Sequence, residues 1–172
     1  NSSNGAPGGG IFHAGYQLTI TRSTVSGNST NGGDGGGIYV VGMQYRPENP
    51  TAALGPVLTV VNSTISGNST EIMMTKMAPD GIESGSGGGI FASFGSVVNL
   101  LNTTITNNST PGRTGAGIRL DNLDEKPADD GLVVSRSRSE GETMGSVRNT
   151  IIAANGDAID VRGAFFSTGY NL

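Results

Sequence analysis

Three asparagines recur at a spacing of 40 residues and are the residues of this chain with the clearest chemistry: Asn28, Asn68 and Asn108. Each is followed by Ser-Thr, so each matches the N-x-[ST] pattern of a glycan acceptor. Amides repeated at one position can also hydrogen-bond along the repeat axis as a ladder. We expect these three asparagines to form an amide ladder. A buried ladder asparagine has no room for a sugar.

A second set of N-x-[ST] motifs begins at Asn62 and Asn102, which align with Arg22 in the earlier repeat copy. A charged residue must point outward, so these two asparagines are the best glycan acceptors. The repeat itself contains Asn-Ser-Thr, so duplication of the repeat multiplies the motif. The number of motifs is therefore weak evidence for glycosylation. The remaining glycan candidates, in order of preference, are Asn1, Asn107, Asn28, Asn68 and Asn108.

Other residue types that support catalysis or metal binding are sparse. His13 is the single histidine, and the chain has no cysteine, so we predict a surface residue at position 13 and no disulfide or cysteine-based metal site. An acidic group lacks the alternating spacing of a calcium loop; its members are Asp124, Glu125, Asp129 and Asp130. We therefore predict no catalytic set, no metal site and no cofactor.

An aromatic column is predicted from Phe12, Tyr39 and Phe91, each of which directly follows an apolar isoleucine. If the isoleucines are buried, the rings point outward and stack on one another. A ladder of stacked rings stabilises a repeat protein by itself. The alternative is a stripe on which sugars stack.

The elements that must position these residues are repeats. The segment LTVVNSTISGNST (58–70) recurs at 18–30 and at 98–110, and a fourth, eroded copy, VRNTIIAANG, occupies 147–156. A shorter unit alternates with it, as GGGIF at 8–12, GGGIY at 35–39, GGGIF at 87–91 and GAGIR at 115–119. Apolar and polar residues alternate within each copy, which indicates short strands with one buried face. Repeat distances of about 27 residues suit one coil of three short strands, so we predict a parallel β-solenoid.

The alignment predicts which residues stack in the core. One column contains Ile11, Ile38, Ile90, Ile118 and Ile159. A second column contains Val25, Ile65, Ile105 and Ile151. Taking Ile118 as equivalent to Ile159 also places Arg119 beside Asp160 and Asp121 beside Arg162, as cross-strand pairs of opposite charge.

We predict one domain over residues 1–172, all-β, with about five to six coils and loop insertions at 41–57, 71–86 and 121–146. The insertion at 71–86 contains Met73, Met74 and Met77. These methionines either fill gaps against the solenoid wall or form a contact patch for another chain.

Composition and charge restrict the partners. The net charge is −4, which disfavours nucleic acid and anionic membranes. Only 34% of residues are hydrophobic, too few for a compact globule but enough for a solenoid whose coils bury a few aliphatic side chains each. No segment has the length or apolarity of a membrane span, and no signal peptide remains. The absence of cysteine fits an exported bacterial surface protein, so we expect an extracellular or cell-surface location, although a cytosolic protein could also lack cysteine.

The strings NSTISGNST, GGGIF and NTIIAANGD, with a closing STGYNL, resemble the repeats of large bacterial surface and secreted proteins. These include polymorphic outer-membrane and autotransporter-passenger types. The resemblance covers nearly the whole chain apart from the insertions and implies a right-handed parallel β-helix of the pectin-lyase-like fold. In pectate lyases and polygalacturonases that fold implies polysaccharide cleavage by Asp, Arg or Lys clustered on one wall. The corresponding wall here offers Gly, Ser and Thr, and fold alone does not assign an activity.

Two functions follow as hypotheses. The first is an extracellular structural β-helix that acts as a stalk, an adhesin segment or a fibre subunit. The second is a module, built on the insertions, that binds or cleaves carbohydrate. We predict partners in the form of further coils of a longer chain or copies of the same chain stacked end to end, with possible glycans. The assembly contacts would come from the three methionines and from Phe165, Phe166 and Tyr170, which we expect to lie uncovered near one end.

Overall fold

The computed structural model describes residues 1–41, 56–71, 85–93, 95–111, 115–121, 144–156 and 161–169. Every element in these residues is a β-strand, and no helix there has the length and apolarity of a membrane span. The strands are β1 (Ser2–Asn4), β2 (Ile11–His13), β3 (Gln17–Thr21), β4 (Thr24–Ser26), β5 (Ser29–Asn31), β6 (Ile38–Val41), β7 (Val57–Val61), β8 (Thr64–Ser66), β9 (Ser69–Glu71), β10 (Ile90–Ser93), β11 (Val97–Leu101), β12 (Thr104–Thr106), β13 (Ile118–Asp121), β14 (Met144–Arg148), β15 (Ile151–Ala153), β16 (Val161–Arg162) and β17 (Ala164–Ser167).

The strands form four parallel sheets that run along the axis of a β-solenoid. Sheet A has the order β1-β5-β9, sheet B β16-β13-β10-β6-β2, sheet C β17-β14-β11-β7-β3 and sheet D β15-β12-β8-β4. The chain passes through the sheets in the order A, B, C, D and then starts the next coil. The all-β parallel solenoid is therefore confirmed, and the two five-stranded sheets fit the lower end of the predicted number of coils.

The first three coils each have four strands, one in each sheet, where three were predicted. The additional strand in sheet A is the short polar segment Ser2–Asn4, Ser29–Asn31 or Ser69–Glu71, and the last two follow the ladder residues Asn28 and Asn68. Ser29 pairs with Ser69, and Ser69 forms a bridge with Ser109, so this short polar segment also belongs to a parallel sheet. The sequence did not predict this strand, because the main strand signal is period-two hydrophobic alternation and the polar segment Ser-Thr-Asn lacks that alternation.

The corners between sheets explain why asparagine and glycine recur in the repeat. Asn62 and Asn102 both have φ of 50°, and Gly67 has φ of 63°. Such left-handed conformations are accessible to glycine and tolerated by asparagine, but they are costly for most residues. The motif N-S-T-I-S-G-N thus supplies a left-handed corner, a three-residue strand, a second left-handed corner and the ladder amide.

The core lies between the four sheets and is built from in-register aliphatic columns. In sheet B, Ile11, Ile38, Ile90 and Ile118 pair in succession. The next member is Val161, which pairs with Ile118, so the prediction of Ile159 at this place is wrong. Ile159 itself lies outside the described residues.

In sheet D, Val25, Ile65 and Ile105 pair in succession, and the fourth member is Ile152. The prediction of Ile151 at this position is wrong by one residue. Ile151 pairs with Thr104 on the outer side of the sheet and is 43% exposed. Adjacent residues of a strand point to opposite faces, so this shift moves Ile151 out of the core.

Sheet C shows how the final coil compensates for a missing side chain. Leu58 and Val98 are buried, but the next position in their column is Gly145, which pairs with Phe165 of β17. A Cβ placed on Gly145 would overlap the Phe165 ring, and the ring also lies near the core of the preceding coil. Phe165 is 5% exposed, so the expectation that it lies uncovered near an end is wrong.

The predicted insertions fall mostly outside the described residues. Five of the residues that bound the predicted insertions lie in strands, namely Val41, Val57, Glu71, Asp121 and Ser146. Gly85 and Ser86, at the end of the second insertion, donate their backbone N–H groups to one carboxylate oxygen of Asp34, both at 2.8 Å. The coil wall thus resumes immediately before the GGGI unit.

Candidate functional site

A buried amide ladder follows the corner between sheets D and A. The Nδ2 of Asn28 donates to Oδ1 of Asn68, and the Nδ2 of Asn68 donates to Oδ1 of Asn108, both at 2.9 Å. The backbone N–H of each donor residue reaches the same oxygen, at 3.1 and 3.0 Å. The amide oxygens of Asn68 and Asn108 therefore each accept two hydrogen bonds from the preceding coil.

The amides of Asn68 and Asn108 each use their second hydrogen as well. The Nδ2 of Asn68 donates to the backbone oxygen of Val25 at 2.9 Å, and that of Asn108 donates to the backbone oxygen of Ile65 at 3.0 Å. Buried polar groups are stable only when they are hydrogen-bonded, and this network meets that requirement. The three sequon asparagines of the ladder are buried, so their amide nitrogens have no room for a glycan.

The amide ladder also explains the GGGI unit. A Cβ on Gly37 would lie 2.6 Å from the backbone oxygen of Gly89 and 3.0 Å from the side-chain amide of Asn68. Gly89 meets the amide of Asn108 in the same way, at 3.1 Å. The two repeated units therefore depend on each other, since a side chain in the glycine unit would displace the ladder.

The ladder has a fourth rung, Asn155, which sequence reasoning missed. Asn108 donates to Oδ1 of Asn155 from Nδ2 at 2.9 Å and from its backbone N–H at 3.1 Å. A signal was present, because Asn155 follows Ile152 by three residues, as Asn68 follows Ile65. Aligning the eroded copy on its asparagine would have identified both the rung and the buried isoleucine.

A second, exposed amide ladder lies at the corner between sheets C and D. The Nδ2 of Asn102 donates to Oδ1 of Asn62 at 2.9 Å, and the Nδ2 of Asn149 donates to Oδ1 of Asn102 at 3.1 Å. All three side chains are exposed. The structure thus places Asn62 and Asn102 outward, at the two preferred glycan positions, and joins them by a hydrogen bond that the sequence alone did not indicate. Asn1 and Asn107 are also exposed.

The aromatic column forms a stack on the outer face of sheet B. The ring centroids of Phe12 and Tyr39 lie 5.6 Å apart with planes 5° apart, and those of Tyr39 and Phe91 lie 5.3 Å apart with planes 1° apart. The guanidinium of Arg119 lies 5.8 Å from the centroid of Phe91 and closes the stack. Sugars bind to the faces of aromatic rings. Both faces of Tyr39 are covered by rings, and Phe91 lies between Tyr39 and the Arg119 guanidinium, so this geometry favours the structural interpretation of the column.

The register of sheet B differs from the one on which the predicted opposite-charge pairs were based. Arg119 pairs with Arg162 in sheet B, because Val161, and not Ile159, is the residue that pairs with Ile118. Asp160 and the side chain of Asp121 lie outside the described residues. Arg119 donates from Nη1 to the Ser86 hydroxyl at 2.7 Å, which holds its guanidinium over the aromatic stack.

The remaining candidates are distributed as follows. His13 is half-buried, and its Nε2 is enclosed without a hydrogen-bond partner among the described residues. Phe165 belongs to the core and Phe166 is half-buried. No group of three His, Cys, Asp or Glu side chains in the described ranges could hold a metal ion. The candidates outside those ranges are Met73, Met74, Met77, Asp124, Glu125, Asp129, Asp130 and Tyr170.

Comparison with known proteins gives one family match. Residues 62–93 match the model of the Chlamydia polymorphic membrane protein repeat. The matched segment begins at an exposed ladder asparagine and includes β8, β9 and β10. No curated protein and no solved structure matches the chain, so the pectin-lyase-like fold stays a prediction from resemblance.

Proposed function

We propose that this chain is part of a bacterial surface protein in which the parallel β-helix serves as a structural stalk or adhesin segment. The observation that carries the proposal is the match of residues 62–93 to a repeat of polymorphic membrane proteins, whose name indicates an outer-membrane or surface location. The matched repeat is also a structural unit of the solenoid, since it supplies strands to sheets D, A and B.

The architecture supports a structural role over catalysis. Hydrogen-bonded amides run along two corners and stacked rings run along one face, so adjacent coils are joined at several independent places. In a repeat protein, stability grows with such contacts between neighbouring units. A stalk needs this axial stiffness. The alternative, a module for carbohydrate built on the insertions, depends on residues outside the described ranges.

We further propose that the solenoid is extended end to end by coils of the same kind. Strands β2, β3 and β4 lie at one edge of their sheets, and β16, β17 and β15 lie at the other. Edge strands present unpaired backbone groups that add further strands readily. Coils from a longer chain or from a second copy would satisfy them, and a head-to-tail contact between copies propagates into a filament.

Antibody labelling tests the location. An antibody raised against the purified chain is applied to intact and to permeabilised cells that make the protein. Labelling of intact cells that a brief external protease treatment removes is the expected result. Labelling only after permeabilisation would contradict a surface location.

Light scattering on the purified 172-residue chain tests the end-to-end contact. We expect species larger than a monomer whose mass rises with concentration, and negative-stain images show fibres if copies stack head to tail. A monodisperse monomer over the whole concentration range would contradict the self-stacking part of the proposal without affecting the surface location.

A further inference from the structure

Two asparagine–glycine steps lie one above the other at the end of sheet A. Asn4–Gly5 follows β1 and Asn31–Gly32 follows β5, and Asn4 pairs with Asn31 in the parallel register. The next residue in this column is Glu71, which pairs with Asn31. Neither asparagine belongs to an amide ladder or to an N-x-[ST] motif.

An asparagine followed by glycine can modify itself, because glycine has no Cβ to crowd the approach of its backbone nitrogen. That nitrogen loses its proton and attacks Cγ of the asparagine side chain, forming a C–N bond, and the amide nitrogen leaves as ammonia. Water then opens the five-membered succinimide at either carbonyl. The product is aspartate or isoaspartate, and no oxidant, reductant or enzyme is required.

The structure leaves these two side chains accessible. Asn4 is exposed and Asn31 is half-buried. Their only side-chain link in the described residues is a hydrogen bond of 3.3 Å from Nδ2 of Asn31 to Oδ1 of Asn4, long compared with the 2.9 Å rungs of the buried ladder. Each amide carbon is therefore within reach of attack once the backbone nitrogen is free.

The attacking nitrogens are released by local opening. The N–H of Gly5 donates to the backbone oxygen of Asn31 at 2.7 Å, and that of Gly32 donates to the backbone oxygen of Glu71 at 2.8 Å. Sheet A consists of three strands of three residues, the smallest of the four sheets. Short elements with few buried apolar contacts open most often, so these hydrogen bonds are the ones that break readily.

A third asparagine–glycine step, Asn155–Gly156, is an internal control. Asn155 is 1% exposed, and its Oδ1 accepts two hydrogen bonds from Asn108. Its Nδ2 donates to the backbone oxygens of Ile105 and Ala153, at 3.2 and 3.1 Å. Attack on this amide requires the buried ladder to break, which is close to unfolding the coil.

We propose that Asn4 and Asn31 form a self-modification site, at which spontaneous deamidation converts a stacked amide pair into carboxylates adjacent to Glu71. The converted column holds three like charges at the strand spacing of about 4.8 Å. Like charges directly opposite each other in a sheet are destabilising. An isoaspartate linkage also adds a backbone methylene and shifts the register of its strand. Deamidation therefore loosens sheet A in the first two coils while the coils around Asn155 stay intact.

Peptide mapping by mass spectrometry tests the site. The folded chain and a urea-unfolded sample are incubated side by side at mildly alkaline pH, and the three asparagine–glycine peptides are quantified over time. In urea all three convert at comparable rates. In the folded chain we expect conversion at Asn4 and Asn31, with Asn155 retained. Equal conversion of Asn155, or no conversion at any of the three while the unfolded sample reacts, would overturn the proposal.

Aspartate variants test the consequence. N4D/N31D reproduces the converted column, and N107D adds a charge at an exposed corner that has no acidic neighbour in register. We expect a lower Tm for N4D/N31D than for N107D, recovered by added salt or by the further change E71Q. Equal Tm values for the two variants, or a loss that E71Q does not recover, would show that the stacked charges have no effect.

Discussion

Asn108 and Asn155 are separated by 47 residues in the chain and joined by two hydrogen bonds, of 2.9 Å from Nδ2 and 3.1 Å from the backbone N–H. The earlier rungs of the same ladder are 40 residues apart. The ladder therefore continues through a coil whose sequence has lost most of the repeat. Its geometry is fixed by the solenoid and not by the length of chain between rungs.

Replacing a central rung should destabilise the protein. Asn68→Ala removes the acceptor of the Asn28 amide and the donors to Asn108 and to the Val25 carbonyl. Buried groups left without partners cost about 1–3 kcal/mol, and we expect the free energy of unfolding in urea to fall by that amount. The control is Asn62→Gly, at an exposed rung with a left-handed backbone that glycine accepts. A comparable loss in both variants would contradict the burial argument.

A charge in the core should unfold the coil, whereas the same charge on the outer face should not. Ile65→Asp buries a carboxylate without a partner in sheet D. Ile151→Asp places the same group at a position that is 43% exposed. Circular dichroism should show loss of structure for Ile65→Asp and a folded protein for Ile151→Asp. The opposite pattern would mean that the register of sheet D is wrong.

Glycosylation, where the host supplies it, should occur at Asn62 and Asn102 before Asn28 or Asn108. The first pair is exposed and the second is buried in the ladder. Intact-mass measurement before and after enzymatic deglycosylation detects the sugar, and peptide mapping assigns it. The variant Asn62→Gln combined with Asn102→Gln should lose the added mass. A glycan on Asn68 would contradict the buried ladder, and an unmodified mass would leave the motifs as products of repetition.

The aromatic stack should contribute through coupling between neighbouring rings. Tyr39 contacts rings on both sides, whereas Phe12 contacts one ring and is 55% exposed. We expect Tyr39→Ala to lower the free energy of unfolding more than Phe12→Ala does. A double-mutant cycle between Tyr39 and Phe91 should give a coupling of about 0.5–1.5 kcal/mol. A coupling of zero would show that the rings are adjacent without stabilising each other.

The sequence by itself determined the columns of the first three coils. Within copies that align without gaps, period-two alternation identifies the inward residues, as for Val25, Ile65 and Ile105. Position in the repeat also brought together the amides and the rings, because a parallel solenoid places equivalent residues one above another. The fold class followed from this regularity.

Only the tertiary structure decided the register of the last coils. Ile159 and Val161 are two residues apart and would point to the same face of a strand, so alternation cannot choose between them. Pairing with Ile118 selects Val161 and brings Arg162 beside Arg119. Ile151 and Ile152 are both apolar and point to opposite faces, and the hydrogen bonds of Asn155 fix Ile152 inside. Where the repeat erodes, hydrophobic alternation alone leaves the register open, and contacts with the preceding coil set it. The three-residue spacing from Ile152 to Asn155 is a sequence signal that alternation does not use.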